Sequence, residues 1–308
     1  MEQTRFEIAV IGGGPAGYTA ALYAARAGRD VMVLEKLSAG GQMASTSWVE
    51  NYPGFEGIDG FALGERMRQA AEAAGAVTVY DEAVDLRLSD APKQVTATGG
   101  TYLADAVILA AGAHPRRLGL QEEEALTGRG VAYCAACDGA MYRDRTVAVV
   151  GGGNTAAGDA LLLAKLCRQV YLVHRRDALR AEAVYRRALE RAENVTFLWN
   201  STVEAILHGE RVEGLALRDT RDGSRRELAV DAVFVAVGRL PATELVKGQL
   251  SLDGGGYIQA GEDTRTEIPG VFAAGDLRAK PFRQIVTAAA DGAVAAHMAG
   301  AYLDSLPR

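Results

Sequence analysis

Two cysteines three residues apart, with an acid directly behind the second, are the side chains best suited to chemistry in this chain. They are Cys134 and Cys137 in the run CAACDG, followed by Asp138. Cysteines at this spacing serve as half of a zinc site, as a structural disulfide or as a redox pair. A zinc site needs two further ligands. Cys167 lies in the apolar run ALLLAKLCRQ and reads as a buried small hydrophobe, and His114, His174, His208 and His297 show no metal-ligand spacing, so no metal is expected. A structural disulfide would close too small a loop to gain much stability. A redox dithiol is the strong reading. Opening a disulfide expels a thiolate, which leaves more readily when a nearby acid supplies a proton. Asp138 is placed for that role, and a turn residue of an Asp-Gly pair is its plain alternative.

A dithiol needs an electron source, and two glycine-rich turns offer one. The strand-like run FEIAVIG (6–12) leads into GGGPAG, which sets Gly12, Gly14 and Gly17 in G-x-G-x-x-G register. An Ala-rich helix and a second apolar strand follow, the strand ending at Glu35, 23 residues after Gly12. That is the full context of a dinucleotide-binding βαβ unit: backbone N–H groups approach a pyrophosphate and the acid takes ribose hydroxyls. The pattern recurs in RTVAVVGGGNTAAGDALLLAKLC with Gly151, Gly153 and Ala156, and then the strand QVYLVHRR. The position equivalent to Glu35 is now His174, followed by Arg175 and Arg176. An acid repels a 2′-phosphate, whereas arginines fork onto it. The second site therefore reads as an NADP site with Arg175, Arg176 and Arg180 on the phosphate. The bland alternative is that these arginines solvate a helix start.

The elements that must position these residues come in two similar sets. AVILAAGAHP (106–115) and AVFVAVGRLP (232–241) each close a unit with a strand, a Gly and a Pro. Alternating stretches such as KQVTAT and VEGLALRD suggest small antiparallel sheets within each. A last apolar strand, GVFAAGD (270–276), puts Asp276 at its end before a long helix, where a carboxylate can take a ribityl hydroxyl or act as an ordinary helix cap. The expected fold is α/β, with two tandem Rossmann-like, three-layer ββα domains. An NADPH domain (114–243) carrying the dithiol is inserted into an FAD domain (1–113 and 244–308).

Composition agrees with such a protein and narrows its partners. The 308 residues are 49% hydrophobic and 23% charged, and the 36 glycines fall in short clusters between apolar runs. A net charge of −6 without a basic stripe disfavours nucleic acid. No signal peptide and no apolar run long enough to span a membrane is present, so no membrane association is expected. Three cysteines are too few for a disulfide framework, and a cytoplasmic protein is the simplest expectation. NADPH delivers a hydride and reacts poorly with a disulfide, whereas a flavin can mediate. The expected electron order is NADPH, FAD, disulfide, external acceptor.

From about residue 6 to 302 the chain resembles the low-molecular-weight (bacterial-type) thioredoxin reductases, class II of the pyridine nucleotide-disulfide oxidoreductases. The motifs are GGGPAGYTAALYAARAG, GGQ…VENYPGF, YCAACDG, VAVVGGGNTA, HRRD with Arg180 beyond it, and GVFAAGD…RQIVTAAADG. The resemblance implies FAD held by Gly12, Gly14, Pro15, Ala16, Gly17, Glu35, Lys36, Gly41, Gln42, Thr46, Asn51, Val84, Gly112, Gly275, Asp276, Arg283, Gln284 and Ile285. It implies NADPH held by Gly153, Asn154, Thr155, His174, Arg175, Arg176, Arg180 and Gly238. It further implies a homodimer and thioredoxin as acceptor, with Cys137 nearer the flavin, Cys134 exchanging with thioredoxin, and Asp138 as acid-base residue. Local departures touch the fine tuning: Ala111 in place of a Thr, the run Ala44 to Ser47 in place of a Thr-rich one, and Gly158–Asp159 where Glu is usual.

Nicotinamide and disulfide would share one domain while both need the flavin on the other. The NADPH domain is therefore expected to rotate about linkers near 113–116 and 239–243. The nearest alternative is an FAD-dependent reductase of another thioredoxin-like, glutaredoxin-like or peroxiredoxin partner. Such proteins often carry an extra thioredoxin-like region, which is not expected here. A ferredoxin–NADP reductase needs no dithiol, and a redox-sensing or binding protein would not need all three motifs.

Overall fold

The computed structural model describes residues 4–46 and 48–307. The chain divides into two compact units, Met1–His114 with Leu240–Arg308, and Pro115–Arg239.

The first unit is built on a seven-stranded sheet. Val77–Tyr80, Val31–Glu35, Thr4–Ile11, Thr101–Leu109 and Val271–Ala273 run parallel in that spatial order. The nine-residue strand Thr101–Leu109 serves two purposes. Its first half pairs antiparallel with Lys93–Ala97, which pairs in turn with Ala83–Arg87. Its second half takes Val271–Ala273 alongside, in register Val107↔Val271 to Leu109↔Ala273. A strand covered on both faces should be apolar throughout, and Thr4–Ile11 shows why. Ile8 and Val10 pack against the helices Pro15–Arg26 and Ile285–Asp304, while Ala9 and Ile11 pack with Leu86 and Val95 of the antiparallel strands on the other face. The result is three layers, helix, parallel sheet and antiparallel strands.

The second unit repeats the scheme with the antiparallel layer detached. Val195–Leu198, Gln169–Val173, Thr146–Gly151, Ala232–Ala236 and Val131–Ala132 form an all-parallel sheet. Ser201–His208, Val212–Asp219 and Arg225–Ala229 form a separate antiparallel one. Val147 and Val149 face the helix Asn154–Ala164, and Ala148 and Val150 face Leu215 and Leu217 of the antiparallel layer. Period-two alternation along one buried strand thus serves two cores.

The segments expected as linkers are short strands, Ala113–Pro115 and Arg239–Pro241, paired with each other. Residues 240–243, expected in the inserted domain, belong to the first unit instead. The Ala242 amide donates to the Gly112 carbonyl at 3.0 Å and the Thr243 hydroxyl to the Gly256 carbonyl at 2.9 Å, which draws them there. Among the described residues no helix is long and apolar enough to cross a membrane.

Candidate redox and dinucleotide sites

In the first unit the strand Thr4–Ile11 ends in Gly12, whose φ is +107° and whose absent Cβ would lie 2.6 Å from the Ala110 carbonyl oxygen. A Cβ at Gly17 would lie 1.8 Å from the Gly12 carbonyl oxygen, so the helix can pack onto the turn only with glycine there. Gly14 behaves differently. It caps the helix Pro15–Arg26 with no side-chain bond to the first amides, and a Cβ there would meet nothing within 4 Å. Pro15 opens the helix and Ala16 is buried in its first turn. Uncapped N–H groups facing open space at a helix N-terminus suit an anion. Glu35 closes the turn from the neighbouring strand end: one carboxylate oxygen accepts from the Gly13 amide at 2.6 Å, the other from the Leu37 amide at 3.0 Å.

Several expected contacts gather around this turn. Gly41 lies 3.4 Å from the Gly14 Cα, measured from the Cβ it lacks, and Gln42 reaches toward Gly112. The Asn51 amide donates to the Gln284 side chain at 3.0 Å. Gln284 caps the helix Ile285–Asp304 in a capping box with Thr287, leaving Ile285 as the first helical residue. Gly275 sits against Ala16, with 2.9 Å between the Ala16 Cβ and the position a Gly275 Cβ would take, which brings Asp276 to the same end of the sheet. The Asp276 carbonyl accepts from Arg283 Nε at 3.3 Å. Three expected contacts are less gathered. Lys36 is exposed and paired with Glu82 at 2.7 Å, Val84 is half exposed on the outer strand, and the Thr46 carbonyl accepts from the Gly60 amide. Of the departing run 44–47, Ser47 lies outside the described residues.

The second unit repeats the turn. A Cβ at Gly151 would lie 2.4 Å from the Ala236 carbonyl oxygen, Ala156 is fully buried, and Gly153 again caps a helix with open space above it and no side-chain cap. Asn154 and Thr155 are both exposed, and Asn154 exchanges two hydrogen bonds with Glu182, 2.7 Å to its carboxylate and 2.8 Å from its amide. Arg175, Arg176 and Arg180 are exposed, and none of their side chains has an ion-pair partner among the described residues. Their backbone is fixed. The Arg180 amide donates to the Gly152 carbonyl at 2.7 Å, and the Arg176 carbonyl accepts from the Asn200 amide at 3.1 Å. His174 is placed differently from its neighbours. It is only 6% exposed, its ring fills the space a Gly152 side chain would need, and Trp199 meets it edge-on at 6.4 Å. Burial lowers its pKa, so it lies under the turn as a neutral ring. Gly238, with φ +122°, accepts from the Arg116 amide at 2.9 Å.

Cys134 and Cys137 are joined by a disulfide with Cα atoms 5.3 Å apart. Cys134 caps the one-turn helix Ala135–Asp138, and its carbonyl accepts from the Cys137 and Asp138 amides at 3.2 and 3.0 Å. Gly139 is helical at φ −59°, and the chain runs on from Asp138 into the 3-10 turn Gly139–Tyr142. Burial raises the Asp138 pKa, which keeps a proton on that carboxyl at higher pH than a free aspartate would. Cys167 is buried in the apolar core beside the helix Asn154–Ala164, its pKa pushed up to about 11 by burial. Among the described residues no cluster of three or more His, Cys, Asp and Glu could hold a metal ion.

The structure adds residues that spacing does not reveal. Glu123, almost fully buried, accepts from the Leu118 and Gly119 amides at 2.9 Å each and from the Tyr133 hydroxyl at 2.8 Å, anchoring the segment that delivers Cys134. Asp291 accepts from the Gly275 amide, Arg278 and Lys280 at 2.7–2.9 Å. Burial alone would raise its pKa, but the two cations outweigh it and hold the carboxylate below its usual range. The only sequence signal for Asp291 is an acid inside an apolar helix, which demands a partner. Asp159, on the helix of the second turn, has a pKa raised to about 7 by burial, with Arg239 pulling it back.

A profile of the family described as pyridine nucleotide-disulphide oxidoreductase matches residues 6–292. A thioredoxin reductase of Listeria monocytogenes is 45% identical over 306 residues, covering 99% of this chain and 96% of the relative. One of Streptomyces clavuligerus is 47% identical over 304 residues, covering 97% and 94%. Among solved structures, the thioredoxin reductase of Streptococcus pyogenes superposes with a TM-score of 0.84 at 39% identity, covering 99% of this chain and all of that one.

Proposed function

The chain belongs to the pyridine nucleotide-disulphide oxidoreductase family, an oxidoreductase akin to its thioredoxin reductases, and on that footing we propose that it uses NADPH to reduce the disulfide of thioredoxin. The observation that carries the proposal is the disulfide Cys134–Cys137, beside a carboxyl of raised pKa and in the same unit as a phosphate-type turn.

The residues present suit both dinucleotides. Each turn combines a packed glycine with an open, uncapped helix N-terminus. Gly12, Gly14, Pro15, Ala16, Gly17, Glu35, Gly41, Gln42, Asn51, Gly275, Asp276, Arg283, Gln284 and Ile285 would hold FAD. Gly153, Thr155, Arg175, Arg176 and Arg180 would hold NADPH, the three unpaired guanidiniums giving preference for a 2′-phosphate. His174 would act from beneath, by shaping the turn, and Asn154 from the exposed helix start beside Thr155. Bound FAD supplies a two-electron carrier between nicotinamide and sulfur.

The chain's own chemistry is thiol–disulfide exchange. The Cys134 thiolate attacks one sulfur of the thioredoxin disulfide, forming a mixed disulfide and expelling a thioredoxin thiolate. Cys137 then attacks the Cys134 sulfur, restoring Cys134–Cys137 and releasing the second thioredoxin thiolate. Asp138 gives and retakes the proton that each leaving or attacking sulfur requires. A homodimer in the cytoplasm belongs to the same reading, on the resemblance and the sparse cysteines.

The test follows NADPH oxidation by the flavin-loaded protein with and without thioredoxin, and with glutaredoxin-like and peroxiredoxin acceptors as further arms. The variant Cys137→Ser is expected to bleach its flavin with NADPH yet reduce no thioredoxin. Thioredoxin reduction retained in that variant removes the dithiol from the pathway. A faster rate with another acceptor moves the substrate assignment to it.

A further inference from the structure

Arg283 is held in the first unit in a way its place in the sequence does not predict. Its guanidinium carbon lies 4.0 Å from the centroid of the Tyr257 ring. Its Nε donates to the Asp276 carbonyl and its Nη2 to the Arg278 carbonyl, each at 3.3 Å. These bonds occupy one edge of the group. A guanidinium has five N–H donors, so both on Nη1 and the second on Nη2 have no acceptor among the described residues.

Tyr257 is itself fixed by short-range structure. Asp253 accepts from the Tyr257 amide at 2.9 Å through its carboxylate, and its own amide donates to the Tyr257 carbonyl at 2.8 Å. The next residue, Ile258, is fully buried and bridges to the segment that carries Asp276. Its amide donates to the Leu277 carbonyl at 3.0 Å, and its carbonyl accepts from the Ala279 amide at 2.9 Å. The ring is therefore a platform locked to the backbone that also supplies the two carbonyls. An aromatic face attracts a guanidinium and fixes its plane, which a long, flexible arginine side chain cannot do alone.

We infer that Tyr257 is a positioning residue for the flavin site: it holds Arg283 flat against the loop before FAD arrives, with the free edge of the guanidinium ready for an anionic oxygen. The inference rests on the FAD reading given above. It assigns to Tyr257 no contact with the cofactor; its effect passes through Arg283.

The test measures FAD dissociation from the holoprotein by the fluorescence of released flavin, in wild type, Tyr257→Phe, Tyr257→Leu, Arg283→Met and the double variant Tyr257→Leu/Arg283→Met. Tyr257→Leu is expected to raise the FAD dissociation constant about three- to tenfold, the range of a cation–π contact, while Tyr257→Phe stays within about twofold of wild type. Arg283→Met is expected to weaken FAD at least as much. Adding Tyr257→Leu to it is expected to cost nothing further, because the two residues act as one. FAD bound equally by Tyr257→Leu and wild type overturns the inference, as do additive losses in the double variant or a Tyr257→Phe as weak as Tyr257→Leu. If Tyr257→Leu does not fold, the non-aromatic, polar Tyr257→Gln takes its place in the same cycle, with the same outcomes supporting or overturning the inference. Wild-type protein that binds no FAD overturns the proposed function and this inference together.

Discussion

Asp138 and Asp159 are both carboxyls that burial pushes upward, and they predict different behaviour. For Asp138, under the proposed function, the consequence is catalytic. Its protonated form is the useful acid, so the thioredoxin half-reaction should slow as pH rises through the raised pKa. Asp138→Asn is expected to lose about a hundredfold in that half-reaction and to lose the pH limb with it, while flavin reduction by NADPH is unchanged. Stopped-flow measurement of the two half-reactions separates these effects; equal slowing of both would show a merely structural role. For Asp159 the consequence is stability. The native state binds its proton more tightly than the unfolded chain does, so the stabilising contribution is full below pH about 4 and is lost as pH rises through about 7. Asp159→Asn should flatten the urea-midpoint profile across that window, and an unchanged profile would refute the assignment. Cys134, Cys137 and Asp138 are legible in the sequence because their relation is local. The unusual acidity of Asp159 is not, since it is set by what packs around the helix Asn154–Ala164. His174 is legible only in part: the spacing that marks it as a ligand also marks a ring small enough to lodge where Gly152 has no side chain.

At the level of elements, the two glycine turns and the apolar strands can be read directly, because a buried parallel strand and a phosphate turn each leave a contiguous signature. Helix-to-helix fit leaves none. Gly292 lies mid-helix in Ile285–Asp304, where propensity favours replacement by alanine. Yet a Cβ there would sit 2.1 Å from the Ala16 carbonyl oxygen, which is backbone of the helix Pro15–Arg26 and cannot move aside. Gly292→Ala is therefore expected to destabilise the protein by about 1–3 kcal/mol, opposite in sign to the propensity gain. It should also weaken FAD, because the same helix start carries Ala16 and Pro15. Chemical denaturation and flavin titration check both, and a stabilised variant would show that the helices can part without cost. The linkers are legible as punctuation, but their pairing as strands is not, since Ala113–Pro115 and Arg239–Pro241 are more than a hundred residues apart in sequence.

For the whole molecule, the tandem design is visible because the same strand–turn–helix appears twice, and the return of the chain is visible in GVFAAGD. The boundary at 239/240 is not, because the bond from Ala242 to Gly112 decides it. If disulfide and nicotinamide must each reach one flavin, a covalent cross-link between the two units should abolish turnover while FAD stays bound; full turnover in the locked protein would exclude the rotation. The late arrival of Val271–Ala273 beside Thr101–Leu109 has a further consequence, for how the protein is made. During synthesis the ribosome must finish the whole of 115–239 before it can supply the strand that completes the sheet of the first unit, together with Asp276 and Arg283. The inserted unit has all its strands within its own stretch and can fold on emergence, whereas the first must wait, half-built, with the open edge of Thr101–Leu109 held for a strand more than 160 residues downstream. Under the proposed function, a nascent chain cut short between residues 239 and 271 carries a finished dithiol and no finished flavin cradle, so premature release there yields thiols that the protein's own electron supply cannot reach.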